Sequence, residues 1–226
     1  MNDARGEILG RIGRAIGSPK IAREQDYAAV PRRYHQAGAL GLEERLEVFR
    51  SRLEDYGCGC VRSTLAALSD TIGRLLTSRA TQRLIVAAGL RAEWLPVASG
   101  WIRDEGLRYV DLDECDGAIT GCTVAIARTG SIVLCHDAHE GRRALTLIPD
   151  YHLCIVGADQ VVETVPEGLR HPRVASASLV TTISGPSATA DIEMTRIKGV
   201  HGPRTLDVVI VDIQERVAKS VATRSG

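Results

Sequence analysis

The sequence predicts an α/β fold: a mainly parallel sheet with flanking helices and one β-hairpin. Three observations carry this. Amphipathic helical stretches alternate with short apolar runs over residues 42–87. The clearest run, Arg83-Leu84-Ile85-Val86-Ala87, is continuously apolar after its arginine, the pattern of a strand covered on both faces. Farther on, Thr123–Ala127 and Ser131–Leu134 are β-rich and joined by Arg128-Thr129-Gly130, with a glycine where a hairpin takes positive φ.

Each element has its own signal. Ile8, Ile12 and Ile16 recur every fourth residue, so residues 3–17 form a short helix that stops at Gly17-Ser18-Pro19. Residues 18–40 are mostly polar, with Pro31 and Arg32-Arg33, and read as an extended arm draped over the domain or a neighbouring subunit. Leu42, Leu46, Phe49 and Leu53 mark a helix over 42–55, with Gly57 at its stop. A short strand follows around Cys60-Val61. Ser63 then caps a helix with Leu65, Leu68, Ile72 and Leu75 on one face. Further strands are expected at His152–Val156, Leu179–Ile183 and Leu206–Val211, with a short helix at Ala158–Glu163 that ends before Pro166. The domain reading is a helix and arm over 1–40, an α/β domain over 41–214 and a polar, frayed tail over 215–226.

Composition narrows the function classes. A chain of 226 residues, 44% hydrophobic and 25% charged, is long and apolar enough to fold around its own core. Lys plus Arg equals Asp plus Glu, at 28 each, and aromatics make up 4%. A nucleic-acid partner is therefore not expected, because both the basic excess and the stacking platforms are missing. No apolar stretch approaches about 18 residues, so no membrane span is expected. The first 17 residues lack a continuous apolar segment and do not read as a secretory signal. The expected localisation is cytoplasmic, with Cys58, Cys60, Cys115, Cys122, Cys135 and Cys154 as thiols. None of them forms a C-x-x-C pair, so neither a zinc ribbon nor an iron–sulfur cluster is expected in this chain. Cysteine is usually a small buried hydrophobe. Cys58 and Cys60, flanked by glycines, are the expected exceptions.

Candidate site residues fall in three clusters. Residues 181–193 run from an apolar strand into Ser184-Gly185-Pro186-Ser187 and then Thr189, Asp191 and Glu193. Backbone N–H groups and hydroxyls in such a turn can bind an anion; the same turn is also ordinary strand-to-helix turn chemistry. Asp191 and Glu193 either act as paired carboxylates or enrich a helix N-terminus in acid. His201 sits between glycines in Gly199-Val200-His201-Gly202-Pro203, where its imidazole either reaches a ligand or holds the turn. Thr120-Gly121 and Thr129-Gly130 allow close backbone approach. The turn at 184–187, the Thr129-Gly130 segment and His201-Gly202 should converge on one pocket at an end of the sheet. Gly185→Val should then harm binding more than folding, the turn being exposed. His136, Asp137, His139 and Glu140 read as a loop at the mouth of the sheet, and Arg142 or Arg143 there is suited to gripping a carboxylate with two hydrogen bonds.

Three segments together carry a family resemblance: Ile119–Ser131, with its I-T-G run and A-x-T-G-S; Ile183–Glu193, reading I-S-G-P-S-x-T-A-D-I-E; and Gly199–Pro203, reading G-V-H-G-P. Over residues 40–212 the chain resembles the LUD-domain family of bacterial lactate-utilization components. The resemblance implies a fold similar to the ribose-5-phosphate isomerase and CoA-transferase group. It also implies a part in oxidising L-lactate to pyruvate beside cysteine-rich iron–sulfur subunits, which would hold the clusters. No G-x-G-x-x-G fingerprint for a nicotinamide or flavin is present. Two readings stand. One is an accessory subunit with no turnover alone, binding a small anionic metabolite. The other is a stand-alone enzyme on a CoA-transferase or isomerase-like fold, acting on a phosphorylated or CoA-like substrate.

Overall fold

The computed structural model describes residues 4–16, 29–97, 100–190, 196–198 and 201–212. It separates into two units, Met1–Tyr34 and His35–Gly226. In the first, helix α1 (Ala4–Ile16) leaves Ile8, Leu9 and Ile12 exposed.

The second unit is built on a six-stranded parallel sheet. Its strands are β1 (Gly59–Thr64), β2 (Arg83–Ala87), β3 (Gly100–Asp104), β4 (Gly117–Thr120), β7 (Tyr151–Gly157) and β12 (Thr205–Asp212), in the order β1-β12-β7-β4-β2-β3. Every pairing in it is parallel. The apolar runs are continuous because both faces are covered. Along β12, Leu206, Val208 and Ile210 join one buried cluster while Val209 and Val211 join the other. One cluster takes in Phe49 and Leu53 of α2 (Leu42–Asp55), and the other Leu68, Ile72 and Leu76 of α3 (Leu68–Ser78). Burying a Leu, Ile or Phe side chain in such a layer contributes roughly 1.5–3 kcal/mol.

A second sheet, in the order β8-β5-β6-β9, carries the hairpin. It consists of β5 (Val124–Ile126), β6 (Ser131–Leu134), β8 (Val161–Val162) and β9 (Thr181–Ile183). The hairpin register pairs Ala125 with Ile132, and Gly130 takes φ +59° at its turn. Beyond β9, β10 (Ala188–Ala190) pairs antiparallel with β11 (Arg196–Lys198). Short helices α4 (Tyr109–Asp113), α5 (Val165–Arg170) and α6 (Pro172–Ser176) fill the connections.

Several expectations are corrected. Ser63 is not a cap: it lies inside β1 with its hydroxyl 3.1 Å from Thr71 Oγ1, and α3 begins five residues later at Leu68. Residues 158–163 are not a helix; a single 3-10 turn at 158–160 leads into β8. Pro166 opens α5 instead of ending a helix, because a proline in the first turn forfeits no intrahelical bond. Thr164 and Glu167 close that helix start reciprocally, at 3.4 and 2.7 Å. Cys58 is buried, while Cys60 and Cys135 are half-buried. Burial pushes the thiols of Cys58 and Cys60 up to about 12, so neither is a ready nucleophile. The end of the arm does drape over the domain: Glu163 accepts from the backbone N–H groups of Ala39 and Leu40 at 2.5 and 2.8 Å, and Glu167 from that of Gly38 at 3.0 Å. The polar tail expected over 215–226 lies outside the described residues.

Candidate functional site

The Ser-Gly-Pro-Ser turn leaves β9 and enters β10, not a helix. Ser184 Oγ lies 2.7 Å from Ser131 Oγ, which also donates to Thr129 Oγ1 at 2.8 Å. Ser187 N donates to the carbonyl of Pro203 at 2.8 Å, and His201 N donates to Ser187 Oγ at 3.2 Å. The two motifs are therefore stitched to each other. Gly185 is buried with φ +85°, and a Cβ there would stand 2.8 Å from Tyr56 Cβ. The expected separation of binding from folding at Gly185 is thus corrected. A side chain would clash with Tyr56 in a conformation that L residues rarely adopt, so Gly185→Val is a folding defect as well.

Under this turn lies a cavity of about 250 Å³. Arg143, Thr146, His152, Thr181, Ser187 and His201 give it its polar groups. It opens beside the amino ends of β7 and β12, since His152 and Leu206 are the second residues of those strands. Arg143 is half-buried, and its Nη1 donates to Thr146 O and Oγ1 at 2.8 and 2.9 Å. Among the described residues it has no carboxylate partner. His152 is 1% exposed, with Nε2 2.8 Å from Thr120 Oγ1. Burial first, and then the Arg143 charge, hold its pKa down to about 4, so the imidazole is neutral at physiological pH. A lone guanidinium, several hydroxyls and a neutral imidazole suit a small anion that also carries a hydroxyl.

The sequence candidates divide. Ser184, Gly185, Pro186, Ser187, His201 and Gly202 all line the cavity. Thr120 reaches it through His152, and Thr129 reaches the turn through Ser131. Gly130 packs against Arg52, and Gly121 lies at the opposite edge of the sheet, where its N–H donates to His139 O at 2.8 Å. Thr189 belongs to β10; Asp191 and Glu193 lie outside the described residues.

The loop at 136–143 is tied down internally. His136 bonds Gly141 O and Thr181 Oγ1 at 3.0 and 2.7 Å, and Asp137 pairs with Arg173. Glu140, fully buried, accepts from Thr123 Oγ1 and Cys135 N, both at 2.5 Å. Arg142 grips Asp104 with two bonds of 2.7 and 3.0 Å, as the arginine of this loop was expected to do. No group of three or more potential metal ligands occurs among the described residues. Sequence reasoning missed His152. Its signal was a single histidine inside an otherwise apolar strand.

Comparison with known proteins identifies the framework. The LUD domain model matches residues 80–211. The chain is 42% identical over 212 residues to lactate utilization protein C of Deinococcus radiodurans, covering 92% of this chain and 96% of that one. It is 34% identical over 119 residues to lactate utilization protein C of Halalkalibacterium halodurans, covering 50% of this chain and 51% of that one. Its fold resembles the crystal structure of a DUF162 family protein from Deinococcus radiodurans, with a TM-score of 0.67 at 41% identity over 76% of this chain and 99% of that chain. With the domain matched over more than half of its length, the chain belongs to the LUD domain family.

Proposed function

We propose that this chain is an accessory component of an iron–sulfur-dependent system that oxidises L-lactate to pyruvate in the cytoplasm. It works beside cysteine-rich subunits that hold the clusters and itself binds a small organic anion. The lactate-utilization names of its relatives favour the pathway. The observation that carries the binding role is Arg143, a half-buried cation without a carboxylate partner among the described residues, on the wall of the cavity under the Ser-Gly-Pro-Ser turn. A lactate carboxylate supplies the missing charge, and its hydroxyl has Ser187, Thr181 and the neutral His152 as partners. His201 lines the same cavity, and Asp191 and Glu193 of the same signature complete the set of candidate catalytic groups.

The test is calorimetric titration of L-lactate and of pyruvate into the purified chain. Saturable binding is expected, weakened roughly 10- to 100-fold in Arg143→Ala, the loss of a charge-assisted hydrogen bond. The chain alone is expected to show no lactate oxidation, and to support it once its cysteine-rich partners are added. Turnover by the chain alone would replace this reading with the stand-alone enzyme. Binding untouched by Arg143→Ala would remove the anion from this cavity.

A further inference from the structure

The opposite edge of the parallel sheet has a cavity that the lactate reading does not use. Strands β2 and β4 are neighbours, yet their outgoing connections part: β2 leads to β3 on one side, and β4 leads through the hairpin to β7 on the other. Parting connections open a crevice at the carboxyl ends of such strands, the place where open α/β sheets bind ligands. A cavity of about 250 Å³ lies there. Its walls come from the loops after β2 (Arg91, Trp94), β4 (Gly121, Cys122) and β7 (Asp159, Gln160), and the loop after β6 adds Asp137, which is already paired with Arg173 of α6.

The crevice is held rigidly by the loop after β6. Gly89 N donates to Ala138 O at 2.6 Å, and Gly121 N donates to His139 O at 2.8 Å, so one loop bridges both sides of the parting. The approach is too close for a side chain: a Cβ at Gly89 would stand 2.7 Å from the Ala138 backbone. Arg103 Nη1 fixes the β2 loop by donating to Ala88 O and Leu90 O at 2.7 and 2.8 Å. Two charged groups on this frame have unused capacity, and they flank one aromatic wall. The Asp159 carboxylate has no hydrogen-bond or ion-pair partner among the described residues. The indole of Trp94 borders an apolar floor of Leu68, Ile155 and Val211. The Arg91 guanidinium lies 5.5 Å above that indole, with only a loose contact of 3.7 Å to Glu93.

We propose that this crevice is a second ligand site, for a mononucleotide. Vicinal ribose hydroxyls donate to Asp159, a planar base packs against Trp94, and the phosphate meets Arg91. The cavity falls just below the range of about 300–1,000 Å³ typical of pockets for drug-sized molecules, so it suits one nucleotide unit rather than two.

Four probes test the three walls separately by calorimetry on the full chain. Adenosine 5′-monophosphate is expected to bind saturably. Its 2′-deoxy form, adenosine, and ribose 5-phosphate each lack one recognised group, and each is expected to bind roughly tenfold more weakly or worse. Asp159→Ala and Arg91→Ala alter exposed side chains, so circular dichroism should match the parent while affinity falls by a similar factor. L-lactate, directed to the other edge, is expected not to compete. Absence of saturable binding by adenosine 5′-monophosphate, affinity unchanged in both variants, or displacement of the nucleotide by lactate would overturn the proposal. Ribose 5-phosphate binding as tightly as the nucleotide would overturn the base-recognition part and reassign the site to a sugar phosphate.

Discussion

Two polar clusters sit at the amino ends of the same two strands, on opposite faces of the sheet. Tyr151 and His152 are consecutive in β7, and Leu206 and Asp207 in β12. On one face, Asp207 is fully buried and its carboxylate is saturated: Arg79 donates twice, at 2.9 and 2.7 Å, Tyr151 Oη donates at 3.0 Å, and Gly59 N at 3.2 Å. On the other face, His152 and Arg143 border an open cavity, and the arginine's only described hydrogen bonds go to its own turn, at Thr146. The first cluster uses its charge to tie β1, β7, β12 and the end of α3 together. The second keeps charge in reserve. The same strands can thus serve structure and binding at once, because alternate residues face opposite sides.

The largest test of this contrast is Asp207→Ala. It strands the Tyr151 hydroxyl and the Gly59 N–H and leaves Arg79 without its counter-charge. We expect a loss of about 3–5 kcal/mol in urea unfolding. A loss under about 1 kcal/mol would mean that the saturated cluster is not structural.

The next effect is in pH. His152 takes up a proton in the unfolded chain near the ordinary value of 6.5, but in the fold only near 4. Between those values the unfolded state binds more protons, so stability falls as pH falls, by about 1.4 kcal/mol per unit and about 3 kcal/mol in all. His152→Asn should flatten that part of the pH–stability curve. An unchanged slope in the variant would assign the acid sensitivity elsewhere.

The smallest effect is Arg143→Ala. Because, among the described residues, this guanidinium bonds only Thr146, its removal should change stability by less than about 1 kcal/mol, measured in the same urea titration. A loss as large as that at Asp207 would erase the distinction between the two faces.

Much of the fold was legible because burial leaves periodic traces. Leu46, Phe49 and Leu53 gave α2 its inner face, and the mostly apolar runs gave β2, β7 and β12 despite His152 and Asp207. β3 was not legible: as an edge strand it carries Gly100, Arg103 and Asp104, with Ile102 exposed, and so lacks an apolar run. β4 was not read as a strand because Gly117–Thr120 is short and small, yet it is a central strand. Pro166 misled because a helix start and a helix stop use the same residue. At the site, the Ser-Gly-Pro-Ser turn stood out by its chemistry. Arg143 and His152 came to that cavity from separate elements, and no local spacing announces a neighbour that only the sheet brings near. The parting of β2 and β4 was invisible for the same reason, since strand order is a property of pairing.

The position of β12 bears on how the chain is made. It lies between β1 and β7, pairing residues 59–64 with 207–212. During synthesis β1 therefore waits without its hydrogen-bonded neighbour until almost 150 further residues have been added. Until then the growing chain exposes an open strand edge and the apolar faces meant for β12, a state prone to aggregation. Contacts this distant in sequence also slow folding, because a long loop must close before they form. Production of this protein should therefore respond to slower translation at lower temperature more strongly than its native stability alone would suggest.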